Sequence, residues 1–388
     1  MDFLNQFSFL YDSVIFLFSA AGWKNLIMFG IGGLLIYLAL VKDFEPALLM
    51  PMGFGAILVN IPWSGAVGFA EDGSQGIVDW LFKVGIGASE AMPLLLFIGI
   101  GAMIDFGPLL SNPKMLLFGG AAQFGIFLTI LVASFMFQDF KDAAAIGVIG
   151  AADGPTAILV SQIFESEYKG AIAVAAYSYM ALVPIIQPFA IKMVTTKKER
   201  LIRMPYNPQS VSRLTRILFP IIVMIIAGLV APKSVSLVGM LMFGNLLREC
   251  LKLDSLSQTA QTTLANLITI LLGLTISSSM KADKFIDFST LIIMALGLFA
   301  FVFDTIGGVM FAKFMNIFLP EGRKINPMVG GAGISAFPMS ARVIQKMSLK
   351  EDNQNHLLMH AVGANVAGQI GSVVAGGIIL SVVPTLIG

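Results

Sequence analysis

The sequence predicts an all-α polytopic membrane protein made of two related, inverted repeats with broken transmembrane helices. Composition is the first ground. Of 388 residues, 57% are hydrophobic and 12% charged, and the mean hydropathy is +0.87; soluble domains carry roughly 25% charged residues. The second ground is Asp153, which lies inside an apolar span from about Ala143 to Val160 and is followed at once by Gly154 and Pro155. Proline lacks an N–H and clashes with the preceding turn, so a regular helix cannot run through. The third is a correspondence between halves. Gly150-Ala-Ala-Asp-Gly-Pro155 and Gly330-Gly-Ala-Gly-Ile-Ser-Ala-Phe-Pro338 both interrupt an apolar span and are both followed by another one. Interrupted segments at matching places in two halves point to an ion site at the repeat interface.

The elements follow in chain order. Residues 1–13 mix polar and aromatic side chains and lack the basic start and cleavage site of a signal peptide. Apolar spans are expected at about 25–41 and 46–61, the second divided by Pro51 and Gly53. Each is shorter than the ~20 residues a straight span needs. The stretch 62–76, containing Glu71-Asp72-Gly73-Ser74, has turn chemistry. Over Ile77–Ala88, the residues Ile77, Trp80, Leu81 and Val84 recur at helical spacing, which predicts an amphipathic helix at the interface. Met92–Ile104, ended by Asp105 and Pro108, is too short to cross and reads as a half-helix or re-entrant piece. A full span at about 115–137, the broken span at 143–163 and a long span at 170–194 complete the first half.

Lys192, Lys197, Lys198, Arg200, Arg203, Arg213 and Arg216 face only Glu199 in the strongly charged stretch that comes next. The positive-inside rule makes this loop cytoplasmic. It divides the chain into 1–90 (membrane and interfacial segments), 91–195 (first repeat), 196–216 (basic loop) and 217–388 (second half with the second repeat). Spans in that half are expected at about 217–231, 235–247, 264–280, 289–318 with Asp304 inside, 325–345 and 357–387. Leu267–Met280, with Lys284 and Phe285 after it, stands where Met92–Asp105 stands in the first half.

Several function classes drop out. A net charge of +1 and no basic-aromatic patch argue against nucleic-acid binding. Cys250 is the sole cysteine, so neither an internal disulfide nor a cysteine zinc cluster forms. His356 and His360 stand four apart on an expected helix, outside any HExxH context, and read as packing or solvated residues.

If the broken segments cross near the bilayer midplane, their polar residues line the site. The first half offers Asp153, Thr156, Tyr177, Ser178 and Tyr179; the second offers Asn326, Ser335, Ser340, Arg342, Asn365 and Gln369. A charge at that depth costs a few kcal/mol unless paired, which makes intramembrane acids functional residues as a rule. One acid among neutral oxygens suits a monovalent hard cation such as Na⁺. Ser335 and Ser340 taken singly read as helix-packing residues, whereas the amide of Asn365 must find partners in lipid. Arg342 either snorkels to the interface or binds an anion, and its planar fork favours a carboxylate.

Gly150-Ala-Ala-Asp-Gly-Pro-Thr-Ala-Ile158, Gly170–Pro188, Gly244-Asn-Leu-Leu-Arg-Glu249, Ile325-Asn-Pro327, Gly333–Arg342 and Leu357–Gly368 closely resemble the membrane β subunit of the biotin-dependent, sodium-pumping decarboxylases. The resemblance runs from about Trp23 to the C-terminus. It implies that carboxybiotin, presented by a separate biotin carrier protein, loses CO2 with uptake of a proton while Na⁺ is exported. It also implies a carboxyltransferase subunit and a small membrane subunit as partners, a homotrimer, and the inner membrane of a prokaryotic cell. Residues matching the family's functional positions are Asp153, Tyr179, Asn326, Gly330, Ser335, Arg342 and Asn365. Asp153, Tyr179 and Arg342 would be the catalytic set, with Arg342 also holding carboxybiotin. Asp153, Ser335, Asn365, Asn326 and Gly330 would be the Na⁺ set. The alternative is a cation/proton antiporter that shares the broken helices and buried acid but does no chemistry. A structural membrane subunit is a third class, in which Asp153→Asn leaves activity intact.

Overall fold

The computed structural model describes residues 9–19, 22–69, 73, 75–87, 90–205 and 211–387. Glu71, Asp72 and Ser74 of the expected turn, and residues 1–8 of the N-terminal stretch, lie outside them. Among the described residues the regular structure is helical, apart from one bridge between Phe69 and Gln75. Seven helices are long and apolar enough to cross a membrane, or up to eight if the bent pair Ile77–Gly87 and Ala91–Met103 is one span.

Contacts divide the chain into two units, Met1–Met92 with Asn266–Ile293, and Pro93–Ala265 with Met294–Gly388. The first holds α1 (Phe9–Leu17), α2 (Trp23–Lys42), α3 (Pro46–Asn60) and α4 (Ile77–Phe82), the last continued by a π-turn at Lys83–Gly87. Two expectations change here. At 20 residues α2 is long enough to cross. In α3 the helix runs unbroken over Pro51 and Gly53 instead of dividing there. Proline costs one backbone bond, which neighbouring groups make tolerable inside a membrane helix. Gly53 serves contact, because a Cβ on it would lie 2.7 Å from the Gly32 carbonyl oxygen on α2. Asn60 closes α3 by donating to the Ala56 and Met280 carbonyls, both at 2.8 Å, and accepting from the Ala282 amide at 2.7 Å. A Lys281–Asp79 ion pair at 3.1 Å lies in the same unit.

The second unit begins with most of α5 (Ala91–Met103) and α6 (Gly107–Ser111). A span over Pro113–Ala133 follows, made of α7 (Leu116–Ala121) and α8 (Phe124–Ala133) with a break at Ala122–Gln123. The broken span is α9 (Phe140–Gly147), a 3-10 turn (Val148–Ala151) and α10 (Gly154–Ile163). Then come α11 (Lys169–Val194), α12 (Lys197–Arg200), α13 (Arg213–Val230) and α14 (Val235–Glu249). A span over Asp254–Met280 joins α15 (Asp254–Thr259) and a π-turn, in the second unit, to α16 (Ala265–Ile276) and a 3-10 turn, which belong to the first from Asn266 on. The first unit also holds α17 (Ala282–Phe285) and the start of α18 (Phe288–Phe318); the second resumes at Met294 and ends with α19 (Pro327–Gly331), α20 (Met339–Glu351) and α21 (Leu358–Ile387). Because α21 starts at Leu358, His356 lies off the helix that the spacing of the two histidines predicted. His356 pairs with Gln345, and His360 bonds to the backbone of Met204 and Pro205.

Glycines set the closest crossings. A Cβ at Gly101 would meet the Leu241 carbonyl oxygen at 1.9 Å, and one at Gly244 would meet that of Ile98 at 2.0 Å, so α5 and α14 touch backbone to backbone. Small residues are how membrane helices gain such contact. Asn245 then donates to the Ile104 carbonyl, and Arg248 to those of Ala102 and Met103. These bonds satisfy carbonyls that a helix end leaves orphaned, with a cation at its negative pole.

Candidate ion site at two helix breaks

The first break is a local consequence of sequence. After the 3-10 turn, Ala152 takes a left-handed φ of 51° and Asp153 is extended at φ −130°. The helix restarts at Gly154 with Pro155 in its first turn, where a missing N–H costs nothing. Gly154 leaves room for the Tyr177 ring, which a Cβ there would meet at 2.4 Å. Left-handed alanine costs about 1–2 kcal/mol, so the surrounding contacts must hold it.

Those contacts converge on the acid. Asp153 is buried, and its Oδ2 accepts from Thr156 Oγ1 at 2.7 Å, Ser372 Oγ at 2.8 Å and Gln369 Nε2 at 3.4 Å. Donors come from α10 and α21, and among the described residues no basic side chain pairs with it. Hydrogen bonds to a charged acceptor are worth about 1.5–3 kcal/mol each, enough to hold an anion in place. They leave its charge unbalanced.

The second break meets the first. The Ser335 amide donates to the Ala151 carbonyl at 3.0 Å. Its hydroxyl faces the Asp153 carboxyl without completing a hydrogen bond. Asn365 on α21 gives its amide to the Ile334 carbonyl at 2.6 Å, while its Oδ1 is buried without a partner. Close approach makes this possible, since Cβ atoms at Gly333 and Gly368 would lie 2.5 and 2.1 Å from backbone oxygens of Phe118 and Gly333. Ser335 therefore faces the Asp153 carboxyl directly, and Asn365 is tied to the same break through the carbonyl of the preceding residue, Ile334. Tyr177, whose hydroxyl is buried without a partner, lies within electrostatic reach of Asp153.

The other expected residues sit elsewhere. Asn326 caps α19 through Met328 N, and its Nδ2 donates to the Arg200 and Ile202 carbonyls at 2.8 Å each. Gly330 packs its backbone on Gly308, where a Cβ would lie 2.1 Å from the carbonyl oxygen. Tyr179 donates its hydroxyl to the Met294 carbonyl of α18, so Tyr177 rather than Tyr179 is the tyrosine beside Asp153. Ser340 accepts from Gln187. Arg342 is exposed on the first turn of α20. Ser372 escapes a reading that stops at Asn365 and Gln369. Its signal is position: 365, 369 and 372 form one polar stripe on an apolar helix.

The basic stretch is docked rather than loose. Arg200 binds Glu351 at 2.8 Å and Arg203 binds Asp352 at 2.7 Å, both acids at the end of α20. Lys313 binds Glu199 at 3.0 Å. Arg203 holds the Asp352 carboxyl below the usual carboxylate range, chiefly by its hydrogen bond.

Residues 24–383 match the family described as the Na⁺-transporting oxaloacetate decarboxylase beta subunit. The chain is 48% identical to the glutaconyl-CoA decarboxylase subunit beta of Acidaminococcus fermentans, over 94% of this chain and 95% of that one. It is 48% identical to the methylmalonyl-CoA decarboxylase subunit beta of Veillonella parvula, over 92% of each. Against the oxaloacetate decarboxylase beta chain of Klebsiella pneumoniae the identity is 45%, over 93% of this chain and 96% of the other.

Proposed function

Because the chain belongs to the family of Na⁺-transporting decarboxylase β subunits, we propose that Asp153 is the Na⁺ site of a pump driven by decarboxylation of carboxybiotin. Family membership sets the antiporter reading aside. One observation carries the assignment: a buried carboxylate without a counter-cation lies where two helix breaks meet, with the unpartnered Ser335 Oγ facing it and the unpartnered Asn365 Oδ1 on the helix that gives it Ser372 and Gln369. Hard oxygen donors around one negative charge suit a monovalent cation.

Na⁺ enters from the cytoplasmic side, the side of the basic loop, and is held by Asp153, Ser335, Asn365 and carbonyls of the broken segments. Carboxybiotin comes from a separate biotin carrier in a complex with a carboxyltransferase subunit and a small membrane subunit, around a trimer of this chain. Arg342, exposed at the start of α20, anchors its carboxylate through the guanidinium fork. Loss of CO2 leaves a biotin nitrogen that takes up one proton. Moving one charge against 100 mV costs about 2.3 kcal/mol, which decarboxylation supplies. Tyr179 acts by fixing α11 on α18 through Met294, and Asn326 and Gly330 act by seating α19.

The test uses the whole complex in vesicles. Asp153→Asn keeps shape and removes charge, and should abolish Na⁺ uptake and Na⁺-dependent decarboxylation together. Full activity in that variant removes Asp153 from the mechanism. Arg342→Lys keeps charge and reach but loses the fork. It should slow carboxybiotin decay while Na⁺ still protects the complex against thermal unfolding, and an unchanged rate sinks the anchor.

A further inference from the structure

A second acid lies in the core of the same unit and has no part in the site above. Asp304 is fully buried, sixteen residues from the start of α18 and fourteen from its end. Its Oδ1 accepts from the Ile126 amide at 3.1 Å, in the first turn of α8 just after the break in the Pro113–Ala133 span. Its Oδ2 is buried without a partner. That oxygen looks at Gly150 in the 3-10 turn of the broken span, where a Cβ would lie 2.6 Å from it. Asp304 thus bridges two helix interruptions, one of them three residues from Asp153.

We propose that Asp304 is a proton-exchange site, separate from the cation site at Asp153. The groups facing it are neutral. From α8 these are the backbone of Ile126, which donates to Oδ1, and of Gly125, where a Cβ would lie 2.7 Å from Oδ1. The 3-10 turn presents Gly150, and on its own helix Thr305 donates to the Phe301 carbonyl. No basic side chain pairs with Asp304 among the described residues. A buried carboxylate without a counter-charge must bind a cation or a proton. The first turn of α8 decides between them. Its N–H groups carry the positive end of the helix dipole and stabilise an anion at Oδ1 while repelling a metal cation. A covalently bound proton on Oδ2 needs no ring of oxygen ligands.

The step balances simply. Oδ2 takes one proton from water and the acid becomes neutral; the proton returns to water and the charge is restored. Its use rests on the reading above, in which the biotin nitrogen takes one proton for each CO2 released. Asp304 would supply that proton.

Infrared difference spectra of the complex in vesicles, taken between acidic and alkaline buffer, test the site itself. The parent should show the C=O stretch of a protonated carboxyl that Asp304→Asn removes and Asp153→Asn leaves. In Asp304→Asn the carbonyl oxygen still accepts from Ile126, Na⁺ should still protect against unfolding, and inward proton movement should fall by about a hundredfold, the low end for a positioned proton-transfer group. A band that survives in Asp304→Asn, proton movement equal to the parent, or loss of Na⁺ protection each overturns the proposal. Should Asp304→Asn not fold, Gly150→Ala places a methyl against Oδ2 and should shift the pH range over which the band titrates; an unshifted band overturns it. A parent complex that decarboxylates without taking up protons sinks the reading above, and the infrared band still decides Asp304.

Discussion

Replacing Asn326 by Asp separates a ligand from a clamp. The geometry gives Asn326 two tasks: Oδ1 caps α19 through Met328 N at 3.1 Å, and Nδ2 donates to the Arg200 and Ile202 carbonyls at 2.8 Å each. Aspartate is an equally good helix cap, so the first task survives. The second fails, because a carboxylate oxygen now faces two carbonyl oxygens. A buried carbonyl that loses its donor costs about 1–3 kcal/mol. Asn355 reaches the same two carbonyls at 3.2 Å and recovers part of this. The expected net loss is about 2–4 kcal/mol, or roughly thirty- to several-hundred-fold in the population of the undocked loop. Amide hydrogen exchange over 196–204 reads it directly and should speed up by that factor, while the Na⁺ concentration for half activity stays put. Unchanged exchange together with an altered Na⁺ requirement would refute the clamp and make Asn326 an ion ligand.

Ser372→Ala removes the 2.8 Å donor from Asp153 Oδ2 and costs about 1.5–3 kcal/mol, so half activity should need at least about tenfold more Na⁺; an unchanged requirement leaves Ser372 as packing. Gly368→Ala puts a Cβ 2.1 Å from the Gly333 carbonyl oxygen, and overpacking of about 1–3 kcal/mol should lower the thermal midpoint of the complex; an unmoved midpoint contradicts the close crossing. Arg203 holds the Asp352 carboxyl below its usual range, so the stabilisation is complete above the ordinary carboxylate pKa and is lost as pH falls through the lowered one. Hydrogen exchange in 196–204 should therefore be unaffected by this pair between neutral and mildly acidic pH, and rise only below the carboxylate range. A rise near neutrality would contradict it.

The break at Asp153 was legible because Gly154-Pro155 ends a helix whatever surrounds it. Its counterpart at Gly330–Pro338 was legible because the same small-residue, proline-ended pattern recurs in the second half. Lengths were less so: α2 reaches Trp23 and Lys42 because amphipathic ends such as Trp and Lys belong to a span that hydropathy alone trims. Pro51 and Gly53 misled because the same residues that punctuate a soluble helix also permit close packing in a membrane. The hydrogen bonds of Asn326 and Tyr179 were illegible for one reason. Their partners are the backbone carbonyls of Arg200, Ile202 and Met294, and a carbonyl leaves no mark in the residue type that bears it.

Asp153 and Asp304 show why a buried acid cannot be assigned by residue type alone. Both are buried and neither has a basic partner among the described residues. Asp153 is held by side chains: two hydroxyls and an amide orient Oδ2, while the neutral oxygens of Ser335 and Asn365 remain unpartnered. Such dipoles stabilise the anion yet can turn lone pairs toward an incoming ion, so charge and ligands arrive together. Asp304 is held by a backbone N–H in the first turn of a ten-residue helix. Those donors cannot reverse, and their positive field opposes a metal ion as firmly as it steadies the carboxylate. On the reading proposed above, the first environment suits a cation that needs coordination. The second suits a particle small enough to bond to one oxygen, and Gly150, which has no side chain, leaves room beside that oxygen.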